Sequence, residues 1–282
     1  MRWRSSRRSA NIEDRRGVRA STGLRVGGGA AVVLAVIVAL LGGDPGAVLD
    51  GIGGPATSEE VPTGTPSRTD EGADFVSAVL AETEDTWTAL FQAMGRSYAP
   101  PVVVLFTDAV QSACGMQSAA VGPFYCPPDR KVYIDLAFYR ELRDRFGAPG
   151  DFAQAYVIAH EVGHHIQNLL GIAARVNAQR ARAGEAERNA LSVRMELQAD
   201  CLAGVWAHHA DAQRDLLVAG DVEEGLTAAA AVGDDRMQRS AGRAITPESW
   251  THGSAEQRTR WFRRGLEEGT LDGCDTFSAS RS

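Results

Sequence analysis

The sequence has no excess of basic over acidic residues, and this balance excludes one large class of proteins. It holds 29 lysines and arginines against 36 acidic residues, for a formal net charge of −7. A body that binds nucleic acid needs a basic face, so we expect no nucleic-acid partner. Hydrophobic residues make up 44% and charged residues 23%, which excludes a collagen-like or wholly disordered chain.

A full-length membrane span is also lacking, although one apolar run comes close. Residues 26–41 are sixteen residues without a charge. As a helix they reach about 24 Å, short of the roughly 30 Å hydrocarbon core, and flanking glycines and a snorkelling Arg25 narrow that gap. Residues 1–25 carry eight arginines and two acids, a net charge of +6, and leave −13 on the rest.

A basic flank before an apolar run follows the positive-inside rule. We therefore expect a transmembrane signal-anchor over residues 26–43, with residues 1–25 in the cytoplasm and the remainder outside it, on a single-pass cell-membrane protein. A cleaved signal peptide and a buried helix of the soluble domain are the alternatives. Residues 44–72, rich in Gly, Pro, Ser and Thr, predict a flexible linker.

The pattern beyond the linker predicts one folded domain over residues 73–282 of mainly helical α+β class with a small sheet. Short β-branched and aromatic runs at residues 101–106 and 131–135 predict strands. Apolar residues at helical spacing predict helices near residues 75–95, 137–146, 151–170, 185–209, 221–239 and 254–268.

Only four cysteines are present, and no pair has C-x-x-C spacing, which disfavours a cysteine-rich zinc knuckle. In an exported domain an even number favours disulfides, with three possible connectivities. Cys114 and Cys126 flank a loop that contains Gly and Pro, so their pairing would close a local loop and leave Cys201 with Cys274.

The stretch His160-Glu161-Val-Gly-His164 carries the clearest chemistry. At about 100° per residue, the two histidines project from one helix face and can bind one metal ion. Glu161 is suited to act as general base on a water that zinc activates. Two histidines at helical spacing in a core or on a surface are the simpler alternative.

A catalytic zinc site normally has three protein ligands. The metzincin pattern would need Gly and His where Gln167 and Leu170 stand, so that class is excluded. Glu196 and Asp200 lie four residues apart in a later apolar helix, and buried carboxylates are costly unless paired or metal-bound. We expect Glu196 as the third ligand and Asp200 as the hydrogen-bond partner of a ligating imidazole. Solvated surface acids are the alternative.

Four further histidines are present. His208 and His209 do not share the Glu196 face and are expected at the surface, whereas His165 is expected to pack or to support the site. His252 precedes a helix that Ser254 can cap. It is either a plain loop histidine or a donor that stabilises the oxyanion.

The four motifs together resemble one family. They are His160–Gly171, Glu196–Trp206, the run His252-Gly-Ser-Ala-Glu-Gln-Arg258 and the terminal Cys274-Asp-Thr-Phe277. The set is similar to the bacterial putative neutral zinc metallopeptidase family of YpfJ type and, more distantly, to gluzincins of HtpX/Ste24 type. The resemblance covers roughly residues 73–282.

The resemblance implies a compact zincin-like domain that binds Zn²⁺ through His160, His164 and Glu196, with Glu161 as base and Asp200 in support. It further implies His252 and Arg258 near the oxyanion, with Arg258 as a supporting residue like Asp200, although His252-Gly stands where related motifs often have His-Pro. In zincin-like enzymes an edge strand binds extended substrate. Val132–Asp135 is the candidate, with Tyr133 and Ile134 as substrate-binding residues, and an ordinary core strand is the alternative.

The sequence thus predicts a membrane-anchored zinc endopeptidase of gluzincin type, acting on an extracytoplasmic peptide or protein. A non-catalytic envelope binding or assembly protein with structural zinc is the alternative, and an inactive peptidase-like receptor is a third.

Overall fold

The computed structural model describes residues 1–17 and 63–278. The predicted signal-anchor at residues 26–43 and most of the predicted linker lie outside these ranges. Among the described residues, no helix combines the length and the apolar character that a membrane crossing needs.

Helices make up most of the described chain, as the apolar periodicity predicts. They are α1 (Glu71–Ala93), α2 (Ala137–Asp144), α3 (Asp151–Leu169), α4 (Ile172–Arg180), α5 (Glu185–Arg214), α6 (Asp221–Ala231), α7 (Asp234–Ser240) and α8 (Ala255–Glu268). Short 3-10 turns lie at Trp3–Ser5, Ala119–Val121, Pro247–Ser249 and Asp272–Cys274.

The single helix predicted over residues 221–239 is two helices, α6 and α7. Gly233 separates them, and a Cβ atom at this position would overlap the backbone of Ala255 at the start of α8. The close approach of the two backbones therefore requires glycine here. Ser254 caps α8, and its hydroxyl and the Gln257 side chain form the capping box that the sequence indicates.

The helical core is built around α5 and α8, which cross at two glycines. A Cβ at Gly265 would overlap the carbonyl oxygen of Cys201, and a Cβ at Gly204 would overlap that of Phe262. Glycine at both positions lets the two backbones touch. Because α3 packs on α5, this crossing also fixes the helix that carries His160.

The strands form a four-stranded sheet and a separate hairpin. They are β1 (Ile12–Asp14), β2 (Val102–Phe106), β3 (Ala109–Ser112), β4 (Gly115–Ser118), β5 (Phe124–Cys126) and β6 (Lys131–Asp135). The sheet order is β1-β2-β6-β5, in which β5 alone runs antiparallel to its neighbour, and β3 pairs with β4. Both predicted strands are present, as β2 and β6.

Residues 1–17 belong to the same folded unit as residues 63–278. The sequence prediction of a separate basic flank does not describe them, and the folded unit does not begin at residue 73. Ile12 pairs with Val103, and Trp3 packs edge-on against Phe75 of α1. The amino group of Met1 lies 2.7 Å from Oδ1 of Asp151, the first residue of α3. The basic segment is held by long-range pairing with acidic residues, which local sequence patterns do not reveal.

Two disulfides close the fold in the connectivity that the local pairing predicted. Cys114 bonds Cys126 across the β3–β5 region, with 5.9 Å between their Cα atoms. Cys201 of α5 bonds Cys274, with 5.5 Å between Cα atoms, and ties the C-terminal segment to the central helix.

Candidate metal centre

Two neighbouring helices bring three ligand atoms to one point. His160 and His164 project from one face of α3, and Glu196 faces them from α5. The Nε2 atom of His160 lies 3.2 Å from Oε2 of Glu196, and that of His164 lies 3.4 Å from Oε1 of the same carboxylate. Tetrahedral ligands bound at about 2.0–2.1 Å stand roughly 3.3 Å apart, so this donor set fits a zinc ion.

Asp200 fixes the orientation of the His160 ring. The Nδ1 atom of His160 lies 2.8 Å from Oδ1 of Asp200, whose side chain is completely buried. With Nδ1 protonated and bonded to a carboxylate, Nε2 is left as the metal-binding atom. Burial alone would lower the pKa of His160, but the Asp200 and Glu196 carboxylates raise it above its usual value.

Arg258 and Tyr156 hold Asp200 in turn. Arg258 of α8 donates through Nε to Oδ2 of Asp200 at 2.8 Å and through its terminal nitrogen to Oδ1 at 2.9 Å. The Tyr156 hydroxyl donates to Oδ1 as well. Burial works against the Asp200 charge, yet Arg258 and His160 keep its pKa below the usual value.

Arg258 therefore lies behind the His160 ring, bonded to Asp200, and is 3% exposed. Its terminal nitrogen lies 3.4 Å from Nδ1 of His160 and 4.0 Å from Oε2 of Glu196. This arrangement supports the metal ligand, which agrees with the supporting role expected for Arg258 and not with a position near the oxyanion. Tyr156 was not identified from the sequence, although it stands one helical turn before His160.

His164 has its own orienting partner, Gln167. The Nδ1 atom of His164 lies 2.9 Å from Oε1 of Gln167, whose amide nitrogen donates to the carbonyl of Met195 at 2.7 Å. Gln167 is fully buried. Gln167, one of the two residues that exclude the metzincin pattern, thus joins His164 to the backbone of Met195, next to Glu196. Gln167 stands three residues after His164, so the two side chains share a helix face, and this spacing is the sequence signal for its role.

Glu161 lies next to the ligands on α3 and is 8% exposed. Burial raises the pKa of its carboxyl, and the neighbouring His160 and His164 oppose the shift. No donor among the described residues bonds its oxygens. A buried carboxylate with free lone pairs beside a metal site can accept a proton from water.

His252 lies in the loop before α8 and contacts α7. Its Nδ1 atom is 3.1 Å from Oδ1 of Asp234. This hydrogen bond raises the pKa of His252, burial opposes it, and the charge of Glu196 adds to it. The side chain is 47% exposed, so part of the ring is open to solvent.

The predicted substrate strand is wrong. Tyr133 and Ile134 belong to β6, which lies between β2 and β5 and is not an edge. Both side chains are buried, and the Tyr133 hydroxyl donates to Asp129 at 2.7 Å. The edge strand next to α3 is β5, where the Tyr125 hydroxyl lies 3.0 Å from Nδ1 of His165.

The remaining histidines serve the fold. His165 is fully buried, its Nε2 lies 2.7 Å from the carbonyl of Ala99, and burial lowers its pKa to about 4. His208 and His209 are half-buried on α5 and bond the carbonyls of Leu266 and Gly269. His165 packs as predicted, and the other two are less exposed than predicted.

A helix with two histidines and a carboxylate, completed by a glutamate from a second helix, defines the site of a zinc hydrolase. The chain belongs to the family described as Putative neutral zinc metallopeptidase, whose model matches residues 1–277. The family description implies a zinc cofactor, and the donor set of His160, His164 and Glu196 suits this metal. No solved structure matches the chain.

Relatives similar along most of the chain occur in Escherichia coli and in mycobacteria. The protein named Uncharacterized protein YpfJ of Escherichia coli (strain K12) is 46% identical, over 99% of this chain and all of its own length. Uncharacterized protein Mb2605 of Mycobacterium bovis and Uncharacterized protein Rv2575 of Mycobacterium tuberculosis are each 42% identical, over 86% of this chain and 85% of theirs.

Proposed function

We propose that this protein is a zinc-dependent endopeptidase of gluzincin type. The observation that carries the proposal is the meeting of His160, His164 and Glu196 at one point, with the buried Glu161 beside them. Three protein ligands leave a coordination position open, as catalytic sites require, whereas structural sites use four protein ligands.

Each group at the site has a separate role in peptide hydrolysis. When bound, zinc supplies Lewis acidity and lowers the pKa of water. Glu161 accepts the proton of the attacking water and returns it to the leaving amine. His252 donates from Nε2 to the oxygen of the scissile carbonyl as that oxygen becomes negative. Asp200 and Gln167 keep the two ligating rings in place.

An extended peptide is the substrate class we propose, bound along the outer edge of β5. Among the described residues no strand covers that edge. Its free backbone groups can pair with a substrate backbone. The hydrogen bond from Asn168 of α3 to the Tyr125 hydroxyl, at 2.9 Å, joins this strand to the helix that carries the metal ligands.

We place the activity outside the cytoplasm. Two disulfides and no free cysteine are typical of an oxidising compartment. The uncharged run at residues 26–41 supports attachment to the cell membrane. Recovery of the full chain in the membrane fraction, and its release by deletion of residues 26–41, is the expected result.

A hydroxamate separates catalytic zinc from structural zinc, which is the alternative function. Hydroxamates bind a metal ion only at an open coordination position. We expect the zinc-loaded protein to bind acetohydroxamate and the zinc-free protein not to bind it. A zinc-loaded protein that binds no hydroxamate would support a structural metal and a binding role.

The substrate itself can be captured with Glu161→Gln, which keeps the ligands but removes the base. Proteins enriched on this variant relative to wild type, and shortened in wild-type cells, are the expected natural targets. Equal capture by both forms would argue against proteolysis.

A further inference from the structure

Asp234, the first residue of α7, binds the loop that carries His252. Its Oδ2 atom accepts from the backbone nitrogens of Thr251, His252 and Gly253 at 2.8, 2.7 and 3.0 Å. Its Oδ1 atom lies 3.1 Å from Nδ1 of His252. One carboxylate thus holds both the backbone and the ring.

The same loop packs against the turn of α5 that carries Glu196. Gly253 has a φ of +90°, and a Cβ at that position would lie 3.1 Å from Val193 and 3.3 Å from Leu197. These two residues flank Glu196 in sequence. Glycine allows the loop to approach α5 beside Glu196, whose charge acts on the His252 ring.

We propose that Asp234 is a positioning residue for His252: it binds Nδ1 and so directs Nε2 toward the carbonyl oxygen of a bound substrate. The proposal rests on the proposed peptidase function. The charged groups that act on the ring are Asp234 from α7, Glu196 from α5 and Arg258 from α8. The Thr251 hydroxyl, at 3.1 Å from Nδ1, is its polar neighbour.

Titration of His252 by NMR in the zinc-loaded protein tests the contact without any substrate. The His252 signal is identified by its loss in His252→Ala. Because the carboxylate favours the imidazolium, Asp234→Asn is expected to lower the midpoint toward the ordinary value of about 6.5. Asp235→Asn is the matched control, since Asp235 bonds Ala255 and not the ring. A midpoint that Asp234→Asn leaves unchanged would overturn the proposal.

Kinetics test the role. Asp234→Asn is expected to lower kcat on the order of tenfold with little change in KM, and to move the alkaline limb of the pH profile to lower pH. In a His252→Ala background it should have no further effect. If His252→Ala cleaves as fast as wild type while Glu161→Gln is inactive, the positioning role is wrong and the peptidase stands. If Glu161→Gln retains full activity, the peptidase mechanism fails separately.

A second inference concerns the side of the membrane on which the N-terminal segment lies. Strand β1 pairs with β2 along three residues, and Gly64 donates its backbone N–H to the carbonyl of Ile12 at 2.8 Å. Arg8 and Asp74 form an ion pair in which both side chains are at most 7% exposed. These contacts join the chain before the apolar run to the chain after it.

One crossing between residues 17 and 63 would put β1 and β2 on opposite sides of a bilayer, where they could not pair. Two crossings need about 40 apolar residues, far more than the sixteen of residues 26–41. We infer that residues 1–17 lie on the same side of the membrane as the metal centre. This inference differs from the predicted cytoplasmic position of residues 1–25.

Cysteine labelling tests the inference. All native cysteines are in disulfides, so a new thiol at exposed Ala10 or, as the matched site in the catalytic unit, at exposed Ala181 reports its own position. A membrane-impermeant maleimide on intact cells is expected to label Ala10→Cys and Ala181→Cys alike. Labelling of one and not the other would overturn the inference. If both react only after lysis, the inference holds and the proposed extracytoplasmic location is wrong.

Discussion

The Nε2 atom of His160 lies 3.2 Å from Oε2 of Glu196, although 36 residues separate them in sequence. The two residues belong to helices whose approach is held by Asp200, one turn after Glu196, which bonds the other nitrogen of the same imidazole. Both nitrogens of the His160 ring therefore have a carboxylate partner on α5.

Zinc affinity should depend on the carboxylate of Asp200. In Asp200→Asn the Nδ1 atom of His160 loses its charged partner, and we expect zinc to bind about 10–100-fold more weakly. Competition with a chelator measures this constant. Asp211→Asn, on the same helix but away from the site, is the control. Equal affinity in wild type and Asp200→Asn would contradict the role of Asp200.

Arg258 should matter more for stability than exposed arginines on the same helix. Arg258→Met leaves Asp200 buried with one charged partner fewer, and breaking such a buried pair costs about 3–5 kcal/mol. The exposed Arg263 is the control, because surface substitutions change stability by about 0.5 kcal/mol or less. Urea unfolding of the two variants measures the difference in their stability, and equal midpoints would show that the buried pair contributes little.

The two disulfides should contribute unequally. The pairs are 12 and 73 residues apart, and the longer loop loses more chain entropy when it is closed in the unfolded state. By this estimate the Cys114–Cys126 bond contributes about 3 kcal/mol and the Cys201–Cys274 bond about 4 kcal/mol. Thermal unfolding of the two double Cys→Ser variants should show the larger loss for the second pair. The opposite order would point to strain or to structure in the unfolded chain.

The crossing of α5 and α8 should not tolerate a methyl group. Gly265→Ala forces the new Cβ against the Cys201 carbonyl, and overpacking of this kind costs about 1–3 kcal/mol. At Gly184 a Cβ would meet nothing within 4 Å, so Gly184→Ala is the control. Chemical unfolding measures both, and a Gly265→Ala variant as stable as the control would mean that the helices can separate without cost.

Local periodicity was sufficient for the parts of the site that lie on single helices. Histidines or carboxylates four residues apart share a face, which placed His160 with His164 and Glu196 with Asp200. The same reasoning applied to Tyr156 and Gln167 would have found the two groups that support the site. They were missed because a tyrosine or glutamine in an apolar helix does not by itself indicate chemistry.

Sheet order and the N-terminal segment could not be predicted in this way. A run such as Val132–Asp135 is the same in an edge strand and in a central one, and only pairing with distant residues distinguishes them. Strand β1 is three residues long and shows no alternation. Arg8 finds its partner Asp74 across 66 residues, so a cluster of arginines that resembles a membrane flank is part of the fold.

The most direct test of the account is the hydrolysis of an unstructured protein such as denatured casein by the zinc-loaded Glu161→Gln variant. Zinc content is measured in parallel, and Glu267→Gln, at an exposed position on α8, is the control. We predict that wild type and control cleave the protein, while Glu161→Gln binds one zinc ion and loses about 10²–10⁴-fold in kcat. A Glu161→Gln variant that keeps its zinc and cleaves as fast as wild type would contradict the central claim.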